Sequence, residues 1–146
     1  MLVVEPYHEI RSLLAAVLVT AGHEVSTLAD GREALEEIEK GDYGCVLIGS
    51  PVPVEHAGRS RLLIEVIAEE YPDLCESLVL VTTYVESLEI LSLAARLNVF
   101  AVLAKPFSTI ALRDVVSDCL SGGMTTQRWL GISEDLVDEA HSLRRN

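Results

Sequence analysis

Short apolar runs alternate with amphipathic segments along most of the chain. Leu2-Val3-Val4 is a compact apolar run and predicts a buried first strand. Residues 7–21 place Ile10, Leu13, Leu14, Val17 and Leu18 at helical spacing, and Gly22 ends the pattern. A second strand follows over 24–28. Asp30 then caps a second helix, with Glu33 as its capping-box partner and Gly41 as its stop. Cys45-Val46-Leu47-Ile48 has no polar alternation, as expected of a central strand covered on both faces.

The stretch 49–58 holds Pro51, Pro53 and two glycines and reads as a loop. A third helix is predicted over 59–70, with Leu62, Leu63, Val66 and Ile67 inward, and Tyr71-Pro72-Asp73 breaks it. The pattern continues with a fourth strand at 78–81, a fourth helix at 85–97 and a fifth strand at 99–103. Ser108 caps a fifth helix that ends at Ser121. This is (βα)5, an α/β chain. It predicts a flavodoxin-like three-layer sandwich with a parallel sheet in the order 2-1-3-4-5 and an extra C-terminal helix. Its crevice lies beyond the carboxyl ends of the strands, at Glu5-Pro6, Gly49-Ser50, Thr82-Thr83 and Ala104-Lys105-Pro106.

Composition narrows the function. The chain has 146 residues, 49% of them apolar, enough for one core-forming domain. A net charge of −12 argues against nucleic acid and anionic membrane as direct partners, because phosphate would be repelled. The longest apolar run, Leu13 to Val19, falls far short of a membrane span, and the chain opens without a basic, apolar leader. Cys45, Cys75 and Cys119 form no C-x-x-C pair and read as reduced, buried thiols of a cytoplasmic protein. His8, His23, His56 and His141 lack metal-ligand spacing, so neither a metal site nor a cofactor is predicted.

In this frame the chain resembles the receiver domain of bacterial two-component response regulators over residues 1–121. The likeness is carried by Leu2-Val3-Val4-Glu5, by Asp42-Tyr43 ahead of strand three, by Pro53, by Thr82, and by Lys105-Pro106-Phe107. It implies a signalling module rather than an enzyme. It also implies an aspartate acceptor ending strand three, an acid pair after strand one that helps hold Mg²⁺, and a hydroxyl and a lysine that grip phosphoryl oxygens. Thr82 and Lys105 match the last two, and Glu5 matches the first acid. The second acid falls on Pro6 and the acceptor on Gly49, neither of which has a carboxylate. The resemblance is therefore to a degenerate receiver whose pocket, Glu5, Pro6, Gly49, Thr82, Lys105 and Pro106, is vestigial. Ser50 is a poor substitute acceptor, since strand alternation turns it away from the crevice. Lys105 reads either as an anion grip or, in the structural reading, as the partner of Glu5 across neighbouring strand ends. The resemblance also suggests a cis Lys105-Pro106 bond.

Two further expectations concern surfaces. The fourth helix is apolar on more than one face. Ile90, Leu93, Leu97 and Phe100 read either as covered positions or as a homodimer face built from helix four, strand five and helix five. Residues 122–146 form a separate linker and short amphipathic helix, with Leu136, Val137, Ala140 and Leu143 as its stripe and Trp129 as an anchor. The function expected is phosphorylation-independent protein interaction or dimerisation. The alternative is a small-anion sensor in the space the acceptor leaves, and an enzyme on a flavodoxin-like frame comes last.

Overall fold

The computed structural model describes residues 1–49, 51–83, 88–122 and 127–143. Ser50, the expected helix start at Val85 and the Arg144-Arg145 pair lie outside the described residues. The elements run β1 (Leu2–Val4), α1 (His8–Thr20), β2 (Ser26–Leu28), α2 (Gly31–Lys40), β3 (Val46–Gly49), β4 (Pro53–His56), β5 (Arg59–Leu62) and α3 (Leu63–Glu70). A 3-10 turn (Pro72–Ser77) leads to β6 (Leu78–Thr83), α4 (Leu88–Leu97), β7 (Ala101–Lys105), α5 (Thr109–Leu120), β8 (Arg128–Leu130) and α6 (Glu134–Leu143).

The main sheet is parallel, in the order β2-β1-β3-β6-β7-β8. Its first five strands reproduce the order expected from the sequence, 2-1-3-4-5. Apolar residues on the two faces of each strand feed two separate cores. Leu2, Val46, Ile48, Leu78 and Leu80 pack on one side with α2, α3 and α4 residues such as Ile38, Ile67 and Leu91. Val3, Leu47, Val79, Val81 and Leu103 pack on the other with α1 and α5 residues such as Leu14, Leu18 and Leu112. A sheet covered on both faces needs strands without polar alternation, and β3 has none. The side-chain caps sit where the sequence places them. The Asp30 carboxylate accepts from Arg32 N–H at 2.6 Å, and the Ser108 hydroxyl accepts from Ala111 N–H at 3.2 Å.

Two segments depart from expectation. Residues 53–62, read as loop followed by helix, form an antiparallel hairpin of β4 and β5 with Pro53 opposite Leu62. Its two-residue turn is Ala57-Gly58, both at positive φ (54° and 79°), the geometry that matches strand twist in tight hairpins. The helix expected from 59 starts instead at Leu63, where the Glu65 carboxylate accepts from Leu62 N–H at 3.1 Å. Val54 of β4 is buried with the α2–α3 core, so the hairpin belongs to the fold and is not a surface excursion.

The second departure is the C-terminal segment. The expected fifth strand, β7, is not the sheet's edge: β8 pairs with it in parallel, Val102 opposite Trp129. Residues 128–130 are partly buried and too few to carry a periodic signal, which is why no strand was expected there. α6 lies against α4, and its Ala140 is fully buried. Gln127 locks the crossing, its Nε2 donating to the carbonyls of Ala94 (3.0 Å) and Val99 (2.9 Å), while Arg128 pairs with Asp118. Trp129 packs against the α4 side of the core and donates to Gln127 Oε1 at 3.2 Å.

Candidate functional site

Glu5 follows β1 and Gly49 closes β3. Extending the register Val4 opposite Ile48 by one residue sets them side by side at the carboxyl end of the sheet. Lys105 closes β7, opposite Thr83 of β6. Glu5 and Lys105 are not on neighbouring strands, contrary to the sequence reading. β3 and β6 lie between them, a span of roughly 14 Å at the usual strand spacing. The two side chains nonetheless meet, with Lys105 Nζ 3.4 Å from Glu5 Oε1. Both long side chains must reach inward over β3.

Gly49 makes that possible. A Cβ built on Gly49 would stand 1.3 Å from Glu5 Oε2 and 2.5 Å from its carboxyl carbon. The Glu5 carboxylate therefore fills the volume that any side chain at position 49 would need. Glu5 is fully buried and the Lys105 side chain is 14% exposed. An ionised carboxylate removed from water is costly unless paired, so the amine of Lys105 is its natural counter-charge. The crevice is thus filled, although the sequence reading expects empty space there. An acid occupies it, held from a different strand.

The surrounding pieces fix this arrangement. Glu5 N–H donates to Leu28 O at 2.9 Å, continuing the β1–β2 ladder. Arg11, one turn into α1, reaches back to donate to the carbonyls of Glu5 (2.9 Å) and Pro6 (3.3 Å), which ties down the loop after β1. Thr82 is buried in β6 opposite Ala104. The Lys105-Pro106 bond is cis, as the resemblance suggests, and Pro106 and Pro6 are exposed.

The donor set does not fit Mg²⁺, which wants near-octahedral oxygen ligation. Glu5 faces a lysine, and Pro6 and Gly49 have no oxygen side chains. No group of three or more His, Cys, Asp or Glu is placed to hold a metal among the described residues. The space beside Gly49 on which the anion-sensing alternative relies holds the Glu5 carboxylate, paired with Lys105.

The expected interaction surface is brought together and only partly covered. Ile90, Leu93 and Leu97 are half-buried and pack against the core, α6 covers α4, and Phe100 is 9% exposed. Arg128 stands 6.0 Å from the Phe100 ring centroid. Of the homodimer face expected on helix four, strand five and helix five, the chain's own residues 127–143 take up the β7 edge and one side of α4, while Ile90, Leu93 and Leu97 line open grooves between α4 and α3. The missed signals were the three-residue β8 and the donors of Gln127, neither of which has a sequence pattern.

No family model matches the chain. A curated relative, the transcriptional regulatory protein TcrA of Mycobacterium tuberculosis, is 42% identical over 52 residues, 36% of this chain and 21% of the relative. The chain thus matches about a fifth of that protein's length. Among solved structures, the receiver domain of NtrX from Brucella abortus is similar at a TM-score of 0.68 and 26% identity, covering 82% of this chain and 97% of that one. The beryllofluoride-activated NtrC4 receiver domain dimer is similar at 0.66 and 23%, covering 83% and 95%. No helix among the described residues is long and apolar enough to cross a membrane. Strand order and these structural neighbours together give the chain the flavodoxin-like fold of response regulator receiver domains, the signalling modules of two-component systems.

Proposed function

We propose that the chain is a signalling module that works through protein contacts without phosphorylation at position 49. Residues 1–121 are its receiver-like domain, and residues 122–146 are a C-terminal segment of which 127–143 pack on it. One observation carries this reading: the Glu5 carboxylate, paired with Lys105, fills the volume beside Gly49 where an acceptor side chain would stand. Phosphoryl transfer to a carboxylate needs an acceptor that a donor can reach, and Glu5 is fully buried. The state of the site is set by sequence and not by a phosphodonor.

The partner is a protein. A net charge of −12 disfavours direct contact with nucleic acid or an anionic membrane. The NtrC4 receiver is described as a dimer, which supports self-association as one form of that contact. In this chain, pairing through the β7 edge next to Phe100 would require β8 to leave β7, whereas Ile90, Leu93 and Leu97 line grooves open to solvent. Acetyl phosphate or beryllofluoride, titrated with Mg²⁺ into the labelled protein, is expected to leave its amide spectrum unchanged. A saturable, metal-dependent shift of resonances around Gly49 and Lys105 would overturn the proposal.

A further inference from the structure

Among the described residues five large apolar side chains are exposed, from Leu120 at 38% to Tyr7 at 69%, and all five lie on one layer of the molecule. Tyr7 is the N-cap of α1, Leu13 and Val19 are on α1, and Ile110 and Leu120 are on α5. The two helices pack side by side on the same core, and Ile10, Leu13, Pro106 and Phe107 line an apolar groove where α1 meets the turn before α5. Helices of 13 and 12 residues make a face roughly 20 Å square. An apolar surface of this extent is seldom without a partner.

Charge selects that partner. The chain carries −12, and α2, α3 and α6 hold three or four acids each, so those faces of two copies repel. The α1–α5 face does not. No Asp, Glu, Lys or Arg stands between Arg11 and Glu24, Glu9 lies at the far end of α1, and Arg11 is turned back onto the carbonyls of Glu5 and Pro6. On α5, Asp118 is paired with Arg128. That leaves Arg113 and Asp114, one of each sign, exposed and in no ion pair among the described residues. The exposed positions of α1 also read alike from both ends: Ser12-Leu13, then Ala16, then Val19-Thr20.

We infer that the α1–α5 face is where two copies of this chain associate, about a two-fold axis that crosses α1 at Ala16 and passes near the middle of α5. Each helix then lies antiparallel on its copy. Leu13 comes level with Val19 of the second copy, Ser12 with Thr20, and Ile110 with Leu120. Ala16, the smallest of these, meets itself on the axis and lets the backbones approach, and Arg113 faces Asp114 of the second copy. Specific interfaces bury about 1,200 Å² or more over both partners, and this face lies at the lower end of that range, so micromolar association is expected. The face is across the sheet from α4 and α6, so no part of the chain leaves its place to form it. The inference names a partner for the protein contact proposed above and rests on that reading for its role. Its test reads mass and crosslinking and not the phosphodonor titration, so each can fail alone.

Light scattering of the intact chain over a concentration series tests this. The expected result is a rise from the 15.9 kDa monomer to twice that mass. Ala16→Glu, at an exposed helix position, sets two like charges on the axis and should abolish the rise. Arg113→Asp should weaken association about tenfold, and adding Asp114→Arg should restore it. Cys45, Cys75 and Cys119 are buried, so Ala16→Cys supplies the one accessible thiol, and mild oxidation should link it to its copy. Glu36→Cys, exposed on α2, should stay unlinked, and Leu93→Glu on α4 should leave the dimer intact. A monomer at every concentration, a dimer that survives Ala16→Glu, or one that Leu93→Glu dissolves would overturn the inference. Far-UV circular dichroism of each variant shows that mass is read on folded protein.

Discussion

Glu5 and Gly49 are sterically exclusive: Glu5 Oε2 lies 1.3 Å from where a Cβ at position 49 would be. Their neighbourhood is a single site shared by two residues on adjacent strands, and only one of them can have a side chain there.

Gly49→Ala must therefore displace a buried carboxylate that Lys105 holds in place. Overpacking a core costs typically ~1–3 kcal/mol, and this substitution is expected at the upper end. Gly49→Asp should cost more, since it adds a second carboxylate. Glu5→Ala combined with either should recover much of the loss, because the space is then vacated. Urea denaturation of the four-member cycle checks this. Additive effects of the two substitutions would refute the shared-volume account.

The Glu5–Lys105 pair should respond unequally to the loss of each partner. Removing one member of a buried pair costs about 3–5 kcal/mol when the other is left without its counter-charge. Lys105→Met removes the amine from beside a fully buried acid and should approach that range. Glu5→Gln leaves a lysine with some access to water, so it should cost clearly less. Equal losses in thermal or urea unfolding would mean that burial does not govern this pair.

Gln127 should hold the C-terminal segment in place. Its Nε2 supplies donors to Ala94 O and Val99 O; Gln127→Ala removes both, leaving Ala94 O with the Val99 N–H at 3.3 Å. A loss of about 1–3 kcal/mol is expected. The backbone amide of Arg128, which donates to Phe100 O at 3.2 Å, should exchange with deuterium faster, while β1 and β3 amides keep their protection relative to the new global stability.

Tyr43 sets an alkaline limit. Its hydroxyl donates to Glu37 Oε1 at 2.6 Å, and that bond, with burial behind it, raises the phenol above its usual range. A group whose folded value is raised contributes stability that is complete below the unfolded value, about 10 for tyrosine, and is lost as pH climbs through the folded one. Stability should fall above that point. Tyr43→Phe should cost about 1 kcal/mol at neutral pH and flatten the alkaline limb. An unchanged limb in the variant would exclude Tyr43 as its source.

Much of the fold was legible because its signals are local. Strands such as Val46–Gly49 and helices such as Gly31–Lys40 announce themselves through periodicity and caps within a few residues. The hairpin was hidden because Arg59 to Leu62 runs without a break into the apolar pattern of α3, so the strand blends into the helix that follows. β8 was hidden because three residues carry no period, and only the unpaired edge of β7 makes them a strand.

The sequence by itself determined that positions 6 and 49 have no carboxylate and that Lys105 stands beside a proline, and its alternation of elements gave the order of the first five strands. Only the tertiary structure decided what stands beside Gly49. Glu5 and Lys105 lie 100 residues apart and two strands sit between theirs, so no local pattern relates them. They meet because the missing side chain at Gly49 leaves room over β3 and a buried charge requires an opposite one. The cover over α4 has the same origin: an apolar face and an open strand edge in one part of the chain are satisfied by a distant segment that fits them.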